Sequence, residues 1–377
     1  MAELVLKGGR VIDPSQNLDG IADVVFADGK LKAVGRDAAH GRDAEIRDAK
    51  GLIVTPGLID LHTHVYWGGT SVGVDATALA RRSGTTTFVD AGTAGPANFL
   101  GFRKHVIEPS PVRILPYLNV SFAGIYAFSP TVMVGECADL RLLDLRECRK
   151  VAEANRDIVV GIKVRVGNKA GGNSGIAPLD MALEVAEALG LPVMCHLDFP
   201  PPSRLEVMSR MRKGDVLTHC FRPFPNSPAK PEGGVREEIL AARERGVIFD
   251  IGHGAGSFGF GTARAMLAAG FLPDVISSDV HTMSIDGPAF DLLHTLSKFM
   301  VMGVPLPQVI KSATSAAAAA ISRPDLGTFK PGSVGDATLI SIEEGEFTYH
   351  DVLAEPLKAS KKLDARGVVL GGKWWHP

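Results

Sequence analysis

Two histidines separated by one residue, His62 and His64, are the first feature of the sequence that could do chemistry. They end an apolar segment, Leu58–His64, that is predicted to be a β-strand, and alternate residues of a strand project to the same side. Two imidazoles placed in this way could bind one metal ion. A pair of ordinary hydrogen-bonded histidines is the alternative, and the motif alone does not exclude it.

Three further polar residues end other predicted strands. His196 ends the fifth, His219 the sixth and Asp279 the eighth. If the strands form a barrel, these side chains converge with the first histidine pair on one mouth. Leaving five such groups unpaired in a tight site would be costly. Together they predict a metal site.

Lys163 lies inside the fourth predicted strand, Val159–Val166, among apolar neighbours. A lysine that points into a barrel is costly when charged, and burial lowers its pKa. A neutral amine can react with carbon dioxide to give a carbamate, whose oxygens could bridge two metal ions. The alternative is that Lys163 faces the helices and extends its charged end to solvent.

The middle of the chain alternates between apolar strands and helical stretches. Such alternation is typical of a parallel sheet covered by helices, and eight units in about 270 residues favour a closed (β/α)8 barrel of the TIM type. No Gly-x-Gly-x-x-Gly turn follows the first strand, which disfavours a dinucleotide-binding fold. The predicted strands are Leu58–His64, Thr86–Asp90, Arg113–Val120, Val159–Val166, Val193–Leu197, Val216–Cys220, Val247–Ile251 and Val275–Asp279, and the clearest helices Ala76–Arg82, Pro178–Leu189, Val235–Arg245 and Thr262–Ala269.

Both ends of the chain are predicted to be β-structure. Asp28-Gly29 separates two short apolar runs near the N-terminus, which is a strong hairpin signal. The tail contains predicted strands at Ala337–Ile340 and Val368–Leu370, after a short alanine-rich helix. We therefore expect one small β-sandwich domain built from both termini, residues 1–55 plus 325–377, beside a barrel domain formed by residues 56–324.

The composition of the chain excludes several classes of protein. The 377 residues are 45% hydrophobic and 22% charged, with a formal net charge of -2, so the chain is neither disordered nor a polycation for nucleic acid. No run of about 18 apolar residues predicts a membrane span, and the N-terminus is charged too early for a signal peptide. The four cysteines form no Cys-x-x-Cys pair, and reduced thiols in a cytoplasmic enzyme are expected.

With these residues in place, the chain resembles the amidohydrolase superfamily, in particular its binuclear-metal group with a carboxylated lysine. Pro56–Asp60, which leads into the histidine pair, and Gly332–Ile340, which leads back to the terminal domain, also match. Nearly the whole chain is covered. The matching metal-ligand positions are His62, His64, Lys163, His196, His219 and Asp279.

The resemblance implies a role for each of these residues. His62, His64 and Asp279 would hold a buried metal ion, and His196 and His219 an outer one. Carboxylated Lys163 would bridge both ions, for which zinc suits the nitrogen and oxygen ligands best, with manganese, iron or cobalt as alternatives. A hydroxide shared by the two ions would attack the carbonyl carbon, and Asp279 would pass its proton to the leaving group.

The greatest similarity within the superfamily is to dihydroorotase-like proteins of the amidohydrolase and deacetylase type. Dihydroorotases usually carry an arginine soon after the histidine pair, whereas Val65-Tyr66-Trp67 stands here. We therefore expect hydrolysis of an amide or ester bond in a small N-acyl amino acid or acylated hydroxy acid. The alternatives are a cyclic amidase, a deaminase, which Lys163 disfavours, and a non-catalytic scaffold, which the complete ligand set disfavours.

The substrate contacts are less constrained by the sequence. Arg165 could clamp a substrate carboxylate or form a salt bridge at the barrel rim. His253 and His281 follow strands seven and eight and could contact substrate or brace neighbouring groups. Tyr66 and Trp67 could form an aromatic wall or simply pack. The partner expected is a small-molecule substrate, with no nucleic acid or membrane, in a homo-oligomer of the kind common among relatives, and residues 119–144 and 167–175 are predicted to be loops that cover the site.

Overall fold

The computed structural model describes residues 3–375, so the predicted domain limits at residues 1 and 377 lie outside the described residues. The N-terminal part is β-structure, as predicted. Ala27 pairs with Lys30 across a two-residue turn in which Asp28 and Gly29 both have positive φ, which is the turn that an Asp-Gly pair favours. The strands here are β1 (Leu4–Asp13), β2 (Leu18–Ala27), β3 (Lys30–Gly35), β4 (Glu45–Asp48) and β5 (Ile53–Pro56), and a 3-10 turn lies at Pro14–Gln16.

The central part contains a seven-stranded sheet in which every pair of neighbours is parallel. The strands lie in the order in which they occur along the chain. They correspond to the first seven predicted strands, although the sixth and seventh are only two residues long. These strands are β6 (Leu58–Thr63), β7 (Thr85–Ala91), β8 (Arg113–Asn119), β9 (Gly161–Val166), β10 (Val193–Leu197), β11 (Val216–Leu217) and β12 (Ile248–Phe249).

The eighth predicted strand, Val275–Asp279, is an extended segment without a regular strand ladder. It nevertheless contacts both outer strands of the sheet. An isolated parallel bridge joins Val275 to Asp250 beyond β12, and another joins Val280 to Thr63 at the end of β6. The Asp279 amide donates to the carbonyl of His62 at 2.7 Å. The segment therefore brings the last strand-end residue next to the first.

Helices cover the sheet, and the four predicted ones are confirmed to within two residues. Asp75 accepts a hydrogen bond from the Thr77 amide at the start of α1, and Gly84 ends that helix in the left-handed conformation. The predicted loop 167–175 contains α4 and a 3-10 turn. The helices are α1 (Ala76–Ser83), α2 (Phe99–Phe102) with a π-helical turn (Arg103–Ile107), α3 (Leu145–Ala154), α4 (Asn168–Gly171), α5 (Ala177–Leu189), α6 (Arg204–Arg210), α7 (Glu237–Glu244), α8 (Phe260–Ala268), α9 (Leu292–Val301), α10 (Leu306–Ser312) and α11 (Ser315–Ala320), with 3-10 turns at Leu140–Leu142 and Gly172–Ser174.

The chain returns to the N-terminal strands through β13 (Ala337–His350), β14 (Pro356–Leu370) and β15 (Lys373–Trp375). Because β13 pairs with β5, strands from both ends form one continuous eight-stranded sheet, in the order β15-β14-β13-β5-β1-β2-β3 with β4 beside β1. The joining of the two ends agrees with the sequence prediction. The hairpin β13–β14 is much longer than the short predicted strands, and the two-layer form of a sandwich stays a prediction.

Three apolar clusters hold these layers together. The largest lies between the central strands and the helices and includes Cys195 and Cys220. A second cluster places Ala317 and Ala318 of α11 against Ile59 of β6. The third lies in the terminal sheet. All four cysteines are buried and free, and within residues 3–375 no helix is long and apolar enough to cross a membrane.

Candidate metal centre and active site

Three of the predicted metal-ligating residues meet at the end of β6. The Nε2 atoms of His62 and His64 each lie 3.2 Å from Oδ1 of Asp279. All three side chains are buried, and their ligand atoms lie within 4.8 Å of one another. Burial lowers the pKa of His64 to about 3 and that of His62 well below its ordinary value, so both imidazoles are neutral at pH 7. Neutral imidazoles and a carboxylate are the forms that bind a divalent metal.

His196 and His219 form a second pair beside the first. Nδ1 of His196 lies 2.7 Å from Nε2 of His219, and the His219 ring lies 5.1 Å from that of His62. His219 and Asp279 both have positive φ, at 65° and 47°. A left-handed backbone costs a residue other than glycine about 1 kcal/mol or more, and such costs cluster at functional sites. The left-handed backbone of His219 also explains why the regular strand pairing of β11 stops before this residue.

Lys163 is fully buried and faces the same centre. Within residues 3–375, its Nζ has no hydrogen-bond partner, and neither does Oδ1 of Asp279. Burial lowers the pKa of Lys163 to about 8. Gly92, with φ +76°, makes room for the lysine, because a Cβ there would lie 2.4 Å from the lysine Cβ. An unpartnered buried amine beside four histidines fits the chemistry of a carbamate and of a metal pair.

A layer of hydroxyl and carboxylate groups orients the histidines. Nδ1 of His62 lies 2.7 Å from Oγ1 of Thr218, which in turn donates to Asp250 at 2.7 Å. The same arrangement recurs at His64, through Thr93 and Asp90. Because each threonine donates its proton to an aspartate, it must accept one from the histidine Nδ1. The Nε2 lone pairs are therefore free and directed to the centre.

A cavity of about 390 Å³ opens over this centre. Its charged wall holds Arg165, Lys169, Arg222 and Asp198, and cations outnumber carboxylates there. Its outer wall is largely apolar. That wall contains Val72, Ile125, Phe128, Phe199, Pro223, Phe224, Pro225, Met283, Val352 and Leu353.

Comparison with known proteins shows the family to which the chain belongs. A family model described as the amidohydrolase family matches residues 53–375. The chain belongs to the amidohydrolase family. A protein of Brucella anthropi named deacetylase is 33% identical over 363 residues, which cover 95% of this chain and 89% of that protein. This amidohydrolase is therefore a hydrolase, as its sequence predicted.

Two solved structures are similar to this amidohydrolase over its whole length. One, described as an adenine deaminase, has a TM-score of 0.92 and 29% identity and covers all of both chains. The other, described as a dihydroorotase, has a TM-score of 0.90 and 31% identity and covers 100% of this chain and 99% of that one. The resemblance to amidohydrolases of the deacetylase and dihydroorotase kind is confirmed.

Two of the predicted substrate contacts of the amidohydrolase line the cavity. Arg165 lies on its charged wall, where its Nε is 2.9 Å from Oε1 of Glu136 and its guanidinium lies over Phe128. The predicted salt-bridge alternative is thus present together with exposure to the cavity. His281 lies beside His64, and its Nδ1 accepts a hydrogen bond from the Met283 amide. Both residues stay candidates for contact with substrate.

The other three predicted contacts are placed elsewhere, since none lines the cavity formed by the described residues. His253 is turned into the protein, where its Nε2 lies 2.7 Å from Nζ of Lys298 and its ring stacks on Phe258. Tyr66 stacks on Phe102, and its hydroxyl donates to a backbone carbonyl. Trp67 is 54% exposed. The alternatives given above, bracing of neighbouring groups for His253 and packing for Tyr66, describe these two residues better than a substrate contact does.

Sequence reasoning did not single out several residues that the fold brings to the site. Arg222 follows His219 by three positions, and its Nη1 donates to the carbonyl of Leu197. Thr218 and Asp250 lie at the ends of strands six and seven, a position that could have drawn attention to them. Phe224 and Leu353 come from segments without any motif.

Replacing Thr218 with valine is expected to weaken metal binding about 10- to 100-fold, because it removes the group that orients His62. Valine keeps the shape of threonine, so the fold should be retained. Metal affinity is measured by competition with a chelator. Thr348→Val, at an exposed position of β13, is the matched control, and an unchanged affinity in Thr218→Val would argue against the orienting role.

Proposed function

We propose that the protein is a metal-dependent deacylase of small carboxylate-bearing substrates, namely N-acyl amino acids or acylated hydroxy acids. One observation carries the proposal. The base of a single cavity combines four histidines, Lys163 and Asp279 with arginines that could bind a carboxylate. The relative named deacetylase supports the same reaction class.

We infer that His62, His64 and Asp279 would hold one divalent metal ion, that His196 and His219 would hold a second, and that Lys163 would be carboxylated and contribute anionic oxygen ligands. Zinc suits this donor set best. Bound there, the two ions would supply an activated water at neutral pH and polarise the scissile carbonyl. Asp279 would take a proton on its carboxylate and deliver it to the leaving nitrogen or oxygen.

The charged wall provides the anchor for the substrate carboxylate. Arg165 is already paired with Glu136, whereas Arg222 donates from its Nη1 to the backbone carbonyl of Leu197 and forms no ion pair with a carboxylate within residues 3–375. A guanidinium can bind a carboxylate with two parallel hydrogen bonds. We therefore place the substrate carboxylate on Arg222, with Arg165 and Lys169 contributing positive charge.

Arg222→Gln is expected to raise KM for a carboxylate substrate about 10- to 100-fold with a smaller change in kcat. The rise in KM should nearly vanish for the same substrate with its carboxylate converted to a primary amide, because that compound forms no ion pair with Arg222. Steady-state kinetics on both compounds measures this. Equal losses on the two compounds would argue that Arg222 serves the fold and does not bind the carboxylate.

We infer that the segment 275–280 completes the seven-stranded sheet as a closed (β/α)8 barrel. Its bridges to both outer strands support this inference. Residues 56–324 would then be the barrel domain, and residues 1–55 plus 325–377 the β-sandwich domain. Four free buried thiols are in keeping with a cytoplasmic location. A homo-oligomer remains our expectation, to be measured by sedimentation.

The test is a hydrolysis screen of protein produced with zinc and bicarbonate, with bound metal counted on the same sample. N-acetyl D- and L-amino acids and acetylated hydroxy acids are compared with dihydroorotate, cyclic ureides and adenine. Acyl release from one enantiomer, with close to two metal ions per chain, is the expected result. Ring opening alone would favour a cyclic amidase, which the dihydroorotase-like structure keeps as the second candidate. Deamination alone would favour the function named for the other structure.

A further inference from the structure

The tip of the β13–β14 hairpin, residues 351–355, reaches the mouth of the catalytic cavity. Val352 and Leu353 line that cavity, although they belong to the terminal sheet and lie about 70 residues beyond the last candidate metal ligand. The other lining residues come from the central part of the chain. The terminal sheet therefore contributes directly to the space that a substrate would occupy.

Hydrogen bonds hold this tip in place. The Val352 amide donates to the carbonyl of Phe258 at 3.1 Å. Asp351 accepts from the Phe260 amide at 2.8 Å and, with its other oxygen, from the amides of Leu353 and Glu355. The tip is thus joined to the segment that precedes α8, and its own turn is closed by one buried aspartate. Such a wall is preorganised for a ligand.

Lys298 of α9 fixes the hairpin from within, at the residue that precedes its tip. Its fully buried Nζ donates to the carbonyls of His350 and Pro288, at 2.7 and 2.8 Å, and lies 2.7 Å from Nε2 of His253. A buried amine with three partners is well satisfied, and removing any of them would be costly. Lys298 therefore links the hairpin to the glycine-rich segment after β12, whose residues 255–257 also line the cavity.

Two large apolar side chains at the mouth are left open to solvent. Leu353 is 66% exposed and Phe224 is 86% exposed, and both line the cavity. Apolar side chains gathered at the rim of a cavity mark a surface that a ligand covers. Inside the same cavity lie the cationic side chains that suit a carboxylate. A ligand with a charged end and an apolar end matches this distribution.

We propose that Val352 and Leu353 of the hairpin tip are specificity-determining residues that contact an apolar substituent of the substrate in the cavity that Phe224 also lines. The inference rests on the proposed deacylase function. It adds that selectivity among carboxylate substrates is set in part by the terminal sheet. The apolar substituent could belong to the acyl group or to the acid that is released, and the two are separated by experiment.

The kinetic test replaces Leu353 with aspartate, and Leu205→Asp, at another exposed leucine outside the cavity, is the matched control. The kcat/KM of Leu353→Asp is expected to fall about ten-fold for N-acetyl-phenylalanine if the tip contacts the released acid, or for N-phenylacetyl-glycine if it contacts the acyl group, while that for N-acetyl-glycine stays within about two-fold. The control should change neither. N-phenylacetyl-glycine shows whether the acyl side is the one that the tip contacts. Equal losses on all three substrates, or none, would overturn the proposal.

A binding test distinguishes this proposal from the function on which it rests. Calorimetry on zinc-loaded protein compares 3-phenylpropionate with acetate, neither of which can be hydrolysed. The wild type is expected to bind 3-phenylpropionate about ten-fold more tightly, and Leu353→Asp should lose that preference. If the wild type shows this preference and Leu353→Asp loses it, but no substrate is deacylated, then the proposed reaction is wrong and the hairpin tip remains a binding wall. A preference that Leu353→Asp leaves intact would reject the tip.

Discussion

Asp279→Asn is expected to lower kcat by at least about a thousand-fold while the fold is kept. Asparagine has nearly the shape of aspartate, but its amide can neither take a proton nor give a metal an anionic oxygen. Burial raises the pKa of Asp279 to about 6, so the buried charge is costly and its removal should not lower stability. The measurement is kcat on the best substrate from the screen, with the melting temperature of the same sample.

The control for this variant is Asp286→Asn, at an exposed position seven residues further along the chain. It should keep full activity and metal content. Metal content of Asp279→Asn separates two roles of the carboxylate, because loss of one ion indicates a ligand role beside proton transfer. Near-normal kcat in Asp279→Asn would remove Asp279 from proton transfer altogether.

Lys163→Met is expected to abolish detectable activity, with a loss of more than about a thousand-fold, and to reduce bound metal below two ions per chain. Methionine has a similar length but cannot form a carbamate. Because the amine has no hydrogen-bond partner within residues 3–375, replacing it with an apolar side chain should leave the melting temperature unchanged or raise it. Metal analysis, kinetics and thermal melts of one preparation provide the three readouts.

A second variant at this position tests the chemistry of the bridge itself. Lys163→Ala leaves space that a small carboxylate could enter, so acetate is expected to restore part of the metal binding and activity, whereas chloride is not. A variant that stays inactive with acetate, in protein that still folds, would argue against an anionic oxygen bridge. Full activity of Lys163→Met would remove Lys163 from the centre.

Much of the fold could be predicted because each signal is local. A buried parallel strand is an apolar run, so β6 to β10 were located from short apolar segments that alternate with helical stretches. The Asp28-Gly29 turn and the capped start of α1 depend on a few neighbouring residues. The inner ends of the hairpin β13–β14 were predicted but its full length was not, since the outer part carries charged residues on both faces, which interrupts the apolar pattern.

The residues of the candidate site were likewise predicted only in part. Strand alternation places His62 and His64 on one side of β6, and the strand-end rule groups them with His196, His219 and Asp279 before any coordinates are known. The orienting network through Thr218 and Asp250 was not predicted, because those residues are distant from His62 in the chain. For His253 the sequence left substrate contact and bracing open, since a residue in a loop has no alternation that determines its direction, and the structure turns it toward Lys298.

The sequence by itself determined which residue types could form a metal centre and on which side of their strands they lie, because a strand's alternation is a property of consecutive residues. Tertiary structure alone decided what surrounds that centre. Leu353 shares one cavity with Arg222 and Phe224 only because segments distant in the chain converge there. Such convergence depends on the paths of loops and of a hairpin from another sheet, and these paths are set by packing and hydrogen bonds between distant residues.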